Sequence, residues 1–391
     1  MAEVNIDDIL RGALRVGASD VHLKAGSSPA LRIDGRLVFV KGAPPVSQED
    51  MVRISNSMMN KLQAERFNET NEADLAYSVP GLARWRVNIY QQRGSLAMSL
   101  RAVPHEILNF KQLNLAPIME KISQQERGLI LITGTTGSGK STTLAAMIDF
   151  MNTNRSAHII TIEDPLEFVH GDKKSFISQR EIGIDTLSFS NSLKGALRQD
   201  PDIVLVGEMR DLETIEIALL AAETGHLVMS TLHTLDAQET INRVLAIFPH
   251  SQQNQVRYQL SQVLSAVISQ RLVPRADGKG RVPAQEILIS TSRIRELIAN
   301  PEKTMELRSA IEEGNLHYGM QTFDQCLYNL FKSGQITYDE AMRQATNAGD
   351  LALRIKGIMS AGTEKAATQE GPVAEQPDIE EDVVEIDTER Y

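Results

Sequence analysis

The chain has 391 residues and one cysteine, Cys326, so no internal disulfide can form. A lone thiol fits a reducing compartment. The first eight residues, Met-Ala-Glu-Val-Asn-Ile-Asp-Asp, lack the basic-then-apolar plan of a signal peptide. No apolar run reaches the length needed to span a bilayer. These absences predict a cytoplasmic protein with no direct membrane insertion, while leaving a peripheral contact with a membrane protein open. There is no internal repeat, and no basic excess: 51 acids against 40 bases give a net charge of -11. That balance argues against a protein built to hold nucleic acid. The charge is also uneven. Residues 364–391 carry ten acids and two bases, which leaves the preceding body at only -3.

What is present is an ordinary globular composition, 42% apolar and 23% charged, with length for two or three domains. Ile6, Ile9, Leu10, Ala13 and Leu14 recur at helical spacing. The alternation over Leu31–Val40, broken by Asp34-Gly35, predicts a hairpin. A helix over 48–66 and strands over 74–79, 83–91 and 95–103 complete a mixed α+β domain at 1–103. Residues 104–117, bounded by prolines, read as a linker. From 118 to 361 the pattern changes. Apolar strands at Leu129–Thr133, His158–Ile162, Ile203–Val206 and Leu227–Ser230 alternate with helices, which predicts an α/β domain with a parallel sheet covered on both faces. Helices are expected over 251–271, 291–313, 321–333 and 337–358. Residues 362–391, acidic and poor in apolar groups, read as a disordered tail.

The densest chemistry lies in Gly134-Thr135-Thr136-Gly137-Ser138-Gly139-Lys140-Ser141, a G-x-x-x-x-G-K-[ST] pattern. A strand leads in and a helix opening at Thr142 leads out, as a phosphate-binding loop requires. Its glycines let backbone N–H groups wrap phosphates, and the helix N-terminus adds partial positive charge. Lys140 would reach the β- and γ-phosphates of ATP, and Ser141 would ligate Mg2+. Two later strands end in acids, Glu163-Asp164 and Glu208, where ligands of open parallel sheets bind. A carboxylate there can hold Mg2+ through water or orient the attacking water. Asp164, before Pro165, fits equally well as a helix cap. His226 and His233 flank a further strand at a spacing that does not suit zinc.

Residues 83–91 and 95–103 alternate like two strands around an Arg93-Gly94 turn. A symmetric hairpin there pairs positions whose numbers sum to 187, setting Arg86 opposite Arg101 at about 5 Å between Cβ atoms. Like charges so placed call for an anion facing them.

Together these motifs resemble the PilT/PilU group of secretion-type hexameric ATPases, linked to type IV pilus retraction. The phosphate loop looks like the group's Walker A element and Thr161–Phe168 like its Asp box. Asp202–Asp211 looks like its Walker B, and Ala222–Thr234 like its His box. The resemblance covers all but the acidic tail. It implies an N-terminal PAS-like domain, a C-terminal RecA-like ATPase domain and a homohexamer. Partners implied are an inner-membrane pilus platform protein and a paralogous retraction ATPase. It implies that Glu163 or Glu208 supports water attack, that His233 reports the γ-phosphate state, and that Arg86 and Arg101 reach a bound nucleotide. Two features depart from the pattern. The retraction signature Ala-Ile-Arg-Asn-Leu-Ile stands here as Arg293-Ile294-Arg295-Glu296-Leu297-Ile298, and the stretches 321–325 and 334–338 look more like PilU. The competing functions are a pilus-extension or type II secretion motor, a nucleic-acid translocase, and a nucleotide-binding regulatory subunit.

Overall fold

The structure, a computed structural model of the full chain, describes residues 4–33, 35–79, 83–103, 107–361 and 384–385. Its described residues divide into two compact units, one built on those up to 103 with 167–169 and 384–385, the other on 107–166 and 170–361.

The first unit runs α1 (Ile6–Arg15), β1 (Asp20–Lys24), β2 (Ala30–Ile33), β3 (Arg36–Lys41), α2 (Gln48–Met58), α3 (Lys61–Thr70), β4 (Glu72–Val79), β5 (Ala83–Gln92) and β6 (Ser95–Val103). The Asn5 side chain caps α1 by accepting from the Asp7 N–H, and Ile6, Leu10 and Ala13 turn inward at the expected spacing. β2 and β3 pair with Ile33 opposite Arg36, closing the expected hairpin, although Asp34 itself lies outside the described residues. β5 and β6 pair with Gln92 opposite Ser95. Both turn residues have positive φ, Arg93 at 49° and Gly94 at 73°, as a two-residue hairpin turn of matching twist requires. Alternation along β5 buries Trp85, Val87 and Ile89 in the core, which sends Arg86 to the opposite, exposed face.

The second unit contains α4 (Ile118–Ser123), β7 (Gly128–Thr133), α5 (Lys140–Asn154), β8 (His158–Glu163), β9 (Phe176–Glu181), α6 (Phe189–Ala196), β10 (Ile203–Val206), α7 (Leu212–Glu223), β11 (Leu227–Leu232), α8 (Ala237–Ala246), α9 (His250–Val263), β12 (Leu264–Pro274) and β13 (Arg281–Ile289). It ends in α10 (Ser292–Ala299), α11 (Leu307–Glu313), α12 (Asn315–Tyr318), α13 (Phe323–Lys332), α14 (Tyr338–Gln344) and α15 (Ala348–Ala361). The strand order is β13-β12-β7-β11-β10-β8-β9, parallel except for the edge strand β13. Alternate residues of β7 feed two cores. Leu129 and Leu131 pack with Ile215, Ile241 and Leu260, while Ile130 and Ile132 pack with Leu144, Met147 and Met151. The sheet is therefore covered on both faces, which is why its central strands are apolar throughout. Phe110 and Leu115, from the expected linker, belong to the second of these cores.

Four helix expectations are corrected: 48–66 divides at Met59-Asn60 into α2 and α3, 337–358 divides at 345–347 into α14 and α15, and two others change further. The segment 251–271 is helical only to Val263; from Leu264 it is β12, buried between β7 and β13. A run such as Ala266-Val267-Ile268 suits either state, and pairing with β7 decides it. The segment 291–313 is broken after Ala299, where Asn300-Pro301 opens a 3-10 turn before α11. Within α10 the apolar patch Ile294, Leu297 and Ile298 is buried in its own domain core, leaving Arg293 and Glu296 exposed in ion pairs with Glu313 and Lys303. The tail expected at 362–391 lies outside the described residues, except for β14 (Val384–Glu385), which pairs parallel with Val40 and Lys41.

Candidate active site

All six residues of β7 are buried, and the loop after it packs against β12, where Gln270 Nε2 donates to the Ser138 carbonyl. Gly134, Gly137 and Gly139 have φ of 141°, 78° and 89°, where an L side chain is strained. Space reinforces this at two of them. A Cβ on Gly134 would lie 2.4 Å from the Gln270 carbonyl oxygen, and one on Gly139 2.7 Å from Gln270 Nε2. Gly139 caps α5 without a side-chain hydrogen bond, so the first turn keeps its N–H groups for a ligand. Lys140 is buried, and its Nζ donates to the carbonyls of Gly134 at 2.7 Å and Thr135 at 3.0 Å. The loop thus holds its cation on its own acceptors. Ser138 Oγ is buried with no partner. Thr135, Thr136 and Gly137 are exposed at the tip, while Ser141 and Thr142 are half-buried in the first turn of α5.

The strand order brings the other residues to the same edge. β11 neighbours β7, β10 neighbours β11, and β8 neighbours β10. The phosphate loop, His233, Glu208 and Glu163 therefore follow one another along the C-terminal ends of adjacent parallel strands. Glu208 Oε1 lies 3.5 Å from His233 Nε2, and its Oε2 accepts from Arg210 at 2.7 Å. Burial works to raise the Glu208 carboxyl, but the hydrogen bond and charge of Arg210, helped by His233, outweigh it and hold Glu208 below its ordinary value. At neutral pH it is an anion. Glu163 Oε1 accepts from Thr161 Oγ1 at 2.7 Å and from Gln179 Nε2 at 3.4 Å. Gly207 allows the two acids to approach, since a Cβ there would meet the Ile162 carbonyl oxygen at 3.1 Å and Glu163 Cα at 3.4 Å.

The other sequence candidates fall elsewhere. His226 sits at the opposite end of β11, ~20 Å from His233 by strand rise, with its Nδ1 3.0 Å from the Ala221 carbonyl. No helix starts at Pro165, so Asp164 caps none. In the first unit Arg86 does pair with Arg101 across β5 and β6. The anion opposite Arg101 is internal: Asp20 on β1 is in register with it and accepts from Arg101 Nε at 2.8 Å. Sequence reading overlooked Asp20 because the neighbouring strand's register is set by tertiary pairing. It also overlooked Arg210 and Gln270, although Arg210 lies only two positions beyond Glu208.

Glu286 on β13 supports the start of α8, directly after the His233 loop, by accepting from the Ala237 N–H at 2.9 Å. Burial pushes its carboxyl up, and despite the Ala237 N–H and the charges of Arg271 and Arg308 it stands at about 7 against an ordinary 4.5. A folded state that holds its proton more tightly than the unfolded chain loses stability as pH rises between those values. The penalty is complete above about pH 7 and amounts to roughly 3 kcal/mol. Glu286→Gln keeps the acceptor and removes the ionisation. Its melting temperature should match the parent near pH 4.5 and exceed it at pH 8; equal melting at both values would contradict this account.

Residues 1–347 match the family described as Type II/IV secretion system protein. The chain belongs to that family. Within it, the chain is 46% identical over 342 residues to the type IV pilus retraction ATPase PilT of Pseudomonas aeruginosa, covering 88% of this chain and 98% of that one. It is 40% identical to the type IV pilus ATPase PilU of the same organism, covering 90% and 92%. Among solved structures, the pilus retraction motor PilT with bound ADP superposes with a TM-score of 0.82 at 47% identity, covering 90% of this chain and all of that one. The mixed α/β fold is therefore that of the PilT structure. No helix among the described residues is long and apolar enough to cross a membrane.

Proposed function

We propose that this protein is a motor ATPase that hydrolyses ATP to drive type IV pilus retraction, and with it twitching motility. The observation that carries the reading is the phosphate loop aligned with two strand-end carboxylates, in a chain 46% identical to a retraction ATPase over nearly its whole length. On this reading residues 1–103 form a PAS-like domain, 104–117 a linker, 118–361 a RecA-like domain with C-terminal helices, and 362–391 an acidic tail. Six copies form a ring that works in the cytoplasm against an inner-membrane platform protein, alongside a paralogous ATPase.

The loop suits a nucleotide chemically. Gly134, Gly137 and Gly139 leave a cradle that side chains would fill, Ser138 Oγ lacks a partner, and the first turn of α5 carries uncapped N–H groups. Lys140 exchanges loop carbonyls for phosphate oxygens. Ser141 and Glu208 are the residues that would hold Mg2+, directly or through water. Bound there, Mg2+ would supply positive charge against that developing on the phosphates. Glu208, kept anionic by Arg210, orients and deprotonates the attacking water; Glu163 assists or replaces it. His233, on the Glu208 carboxylate, senses whether the γ-phosphate is present. Arg86 is the stronger candidate for reaching a phosphate, because Asp20 already takes Arg101.

The test is complementation of a retraction-deficient, piliated strain, paired with ATPase assays. Twitching should return, and Arg86→Ala should bind ATP yet lose most turnover, partly restored by mixing with Lys140→Ala subunits. Restored piliation in an extension-deficient strain, or hydrolysis dependent on DNA, would overturn the retraction reading.

A further inference from the structure

Gln270 on β12 and Gln285 on β13 stand opposite each other in the hairpin register, and each is only 2% exposed. Buried amides are costly unless every polar atom is answered. Here they form one continuous chain of hydrogen bonds. The Ala116 N–H donates to Gln285 Oε1 at 3.2 Å, Gln285 Nε2 donates to Gln270 Oε1 at 3.0 Å, and Gln270 Nε2 donates to the Ser138 carbonyl at 2.7 Å. Thr143 Oγ1 on α5 also donates to Gln270 Oε1, at 2.9 Å.

The direction of this chain is dictated by its ends. A backbone N–H can only donate, so Gln285 must turn its oxygen to Ala116 and its amino group to Gln270. Gln270 must then turn its own oxygen to Gln285 and its amino group to Ser138, whose carbonyl can only accept. Neither amide can flip alone without setting like groups against each other. The far end lies inside the phosphate loop, and the near end lies just before α4, within the second unit.

The trans peptide is planar, so its C=O and N–H point in opposite directions. Holding the Ser138 carbonyl down on Gln270 therefore aims the Gly139 N–H away from Gln270. The two glycines that a Cβ would bring against Gln270 mark the same close packing of loop on strand. We propose that Gln270 is a positioning residue for phosphate binding, and that Gln285 transmits the placement of Ala116 to it. This rests on the ATPase reading above and adds the element that shapes the loop from beneath.

The experiment measures binding of a fluorescent ADP analogue and melting temperature for the full-length protein. Gln270→Met, close in volume, should raise Kd about tenfold by leaving the buried Ser138 carbonyl unanswered. Gln285→Met should raise it about threefold, and the double variant should be no worse than Gln270→Met alone, because links in series fail once. Gln270→Glu presents a carboxylate to that carbonyl at high pH but a donor once protonated, and burial raises such a carboxyl. Its Kd relative to wild type at the same pH should fall toward unity between pH 9 and pH 6, a recovery that a packing role would not give. Wild-type Kd in Gln270→Met, a Gln270→Glu ratio that ignores pH, or additive losses in the double variant would overturn the proposal. If Gln270→Met does not fold, the pH ratio and Gln285→Met decide alone. Wild type that fails to bind the analogue would instead sink the ATPase reading.

Discussion

Lys140→Ala should reduce ATP hydrolysis more than about a hundredfold, by removing the cation that meets the phosphates. Its ammonium is held within the loop by two carbonyls. Alanine is the best helix former, so α5 should persist and the loss should be one of binding rather than folding. The decisive measurement is the stabilisation that saturating Mg-ADP gives. A ligand at a hundred times its Kd stabilises the native state by about 2.7 kcal/mol. Wild type should show a corresponding rise in melting temperature, and Lys140→Ala should show none while melting near the wild-type value without nucleotide. A normal nucleotide-induced shift in the variant would remove Lys140 from the site.

Glu208→Gln should leave nucleotide affinity within about threefold but lower kcat by about two to three powers of ten, since an amide neither bears the charge nor takes the proton. Arg210 holds the Glu208 carboxyl below its ordinary value, so the wild-type group is anionic across the neutral range and the loss should be present at every pH from 6 to 8. Glu163→Gln is the comparison. Its oxygen is tied to Thr161 and Gln179, which suits a group that positions rather than one that exchanges protons, so its loss in kcat should be the smaller. The reverse order would transfer the role of base to Glu163.

Much of this site was legible because its signals are local. The phosphate loop declares itself through residues that must be glycine for conformational reasons and a lysine at a set offset. Glu163 and Glu208 were legible because each follows a short apolar strand, and strand ends are where such sheets bind ligands. The pairing of Arg86 with Arg101 could be counted from one turn, since an Arg-Gly pair with positive φ fixes the register on both sides. The strand β12 reads as helix from Leu264 to Arg271 because nothing local separates a buried strand from the continuation of a preceding helix.

The sequence by itself determined the nucleotide-binding loop, the alternation of strands and helices, the hairpin carrying the two arginines, and the kinship that the motifs express. Each depends on backbone conformation or on side-chain periodicity within about twenty residues. Tertiary structure alone decided which strands lie side by side. From that came the row of Lys140, His233, Glu208 and Glu163, the answer of Asp20 to Arg101, and the chain from Ala116 through Gln285 and Gln270 to Ser138. Those links join residues up to 169 positions apart. Hydrogen bonds at such separations carry no periodic or local trace, because they form only once burial has excluded water and left each polar atom to find its partner in the fold.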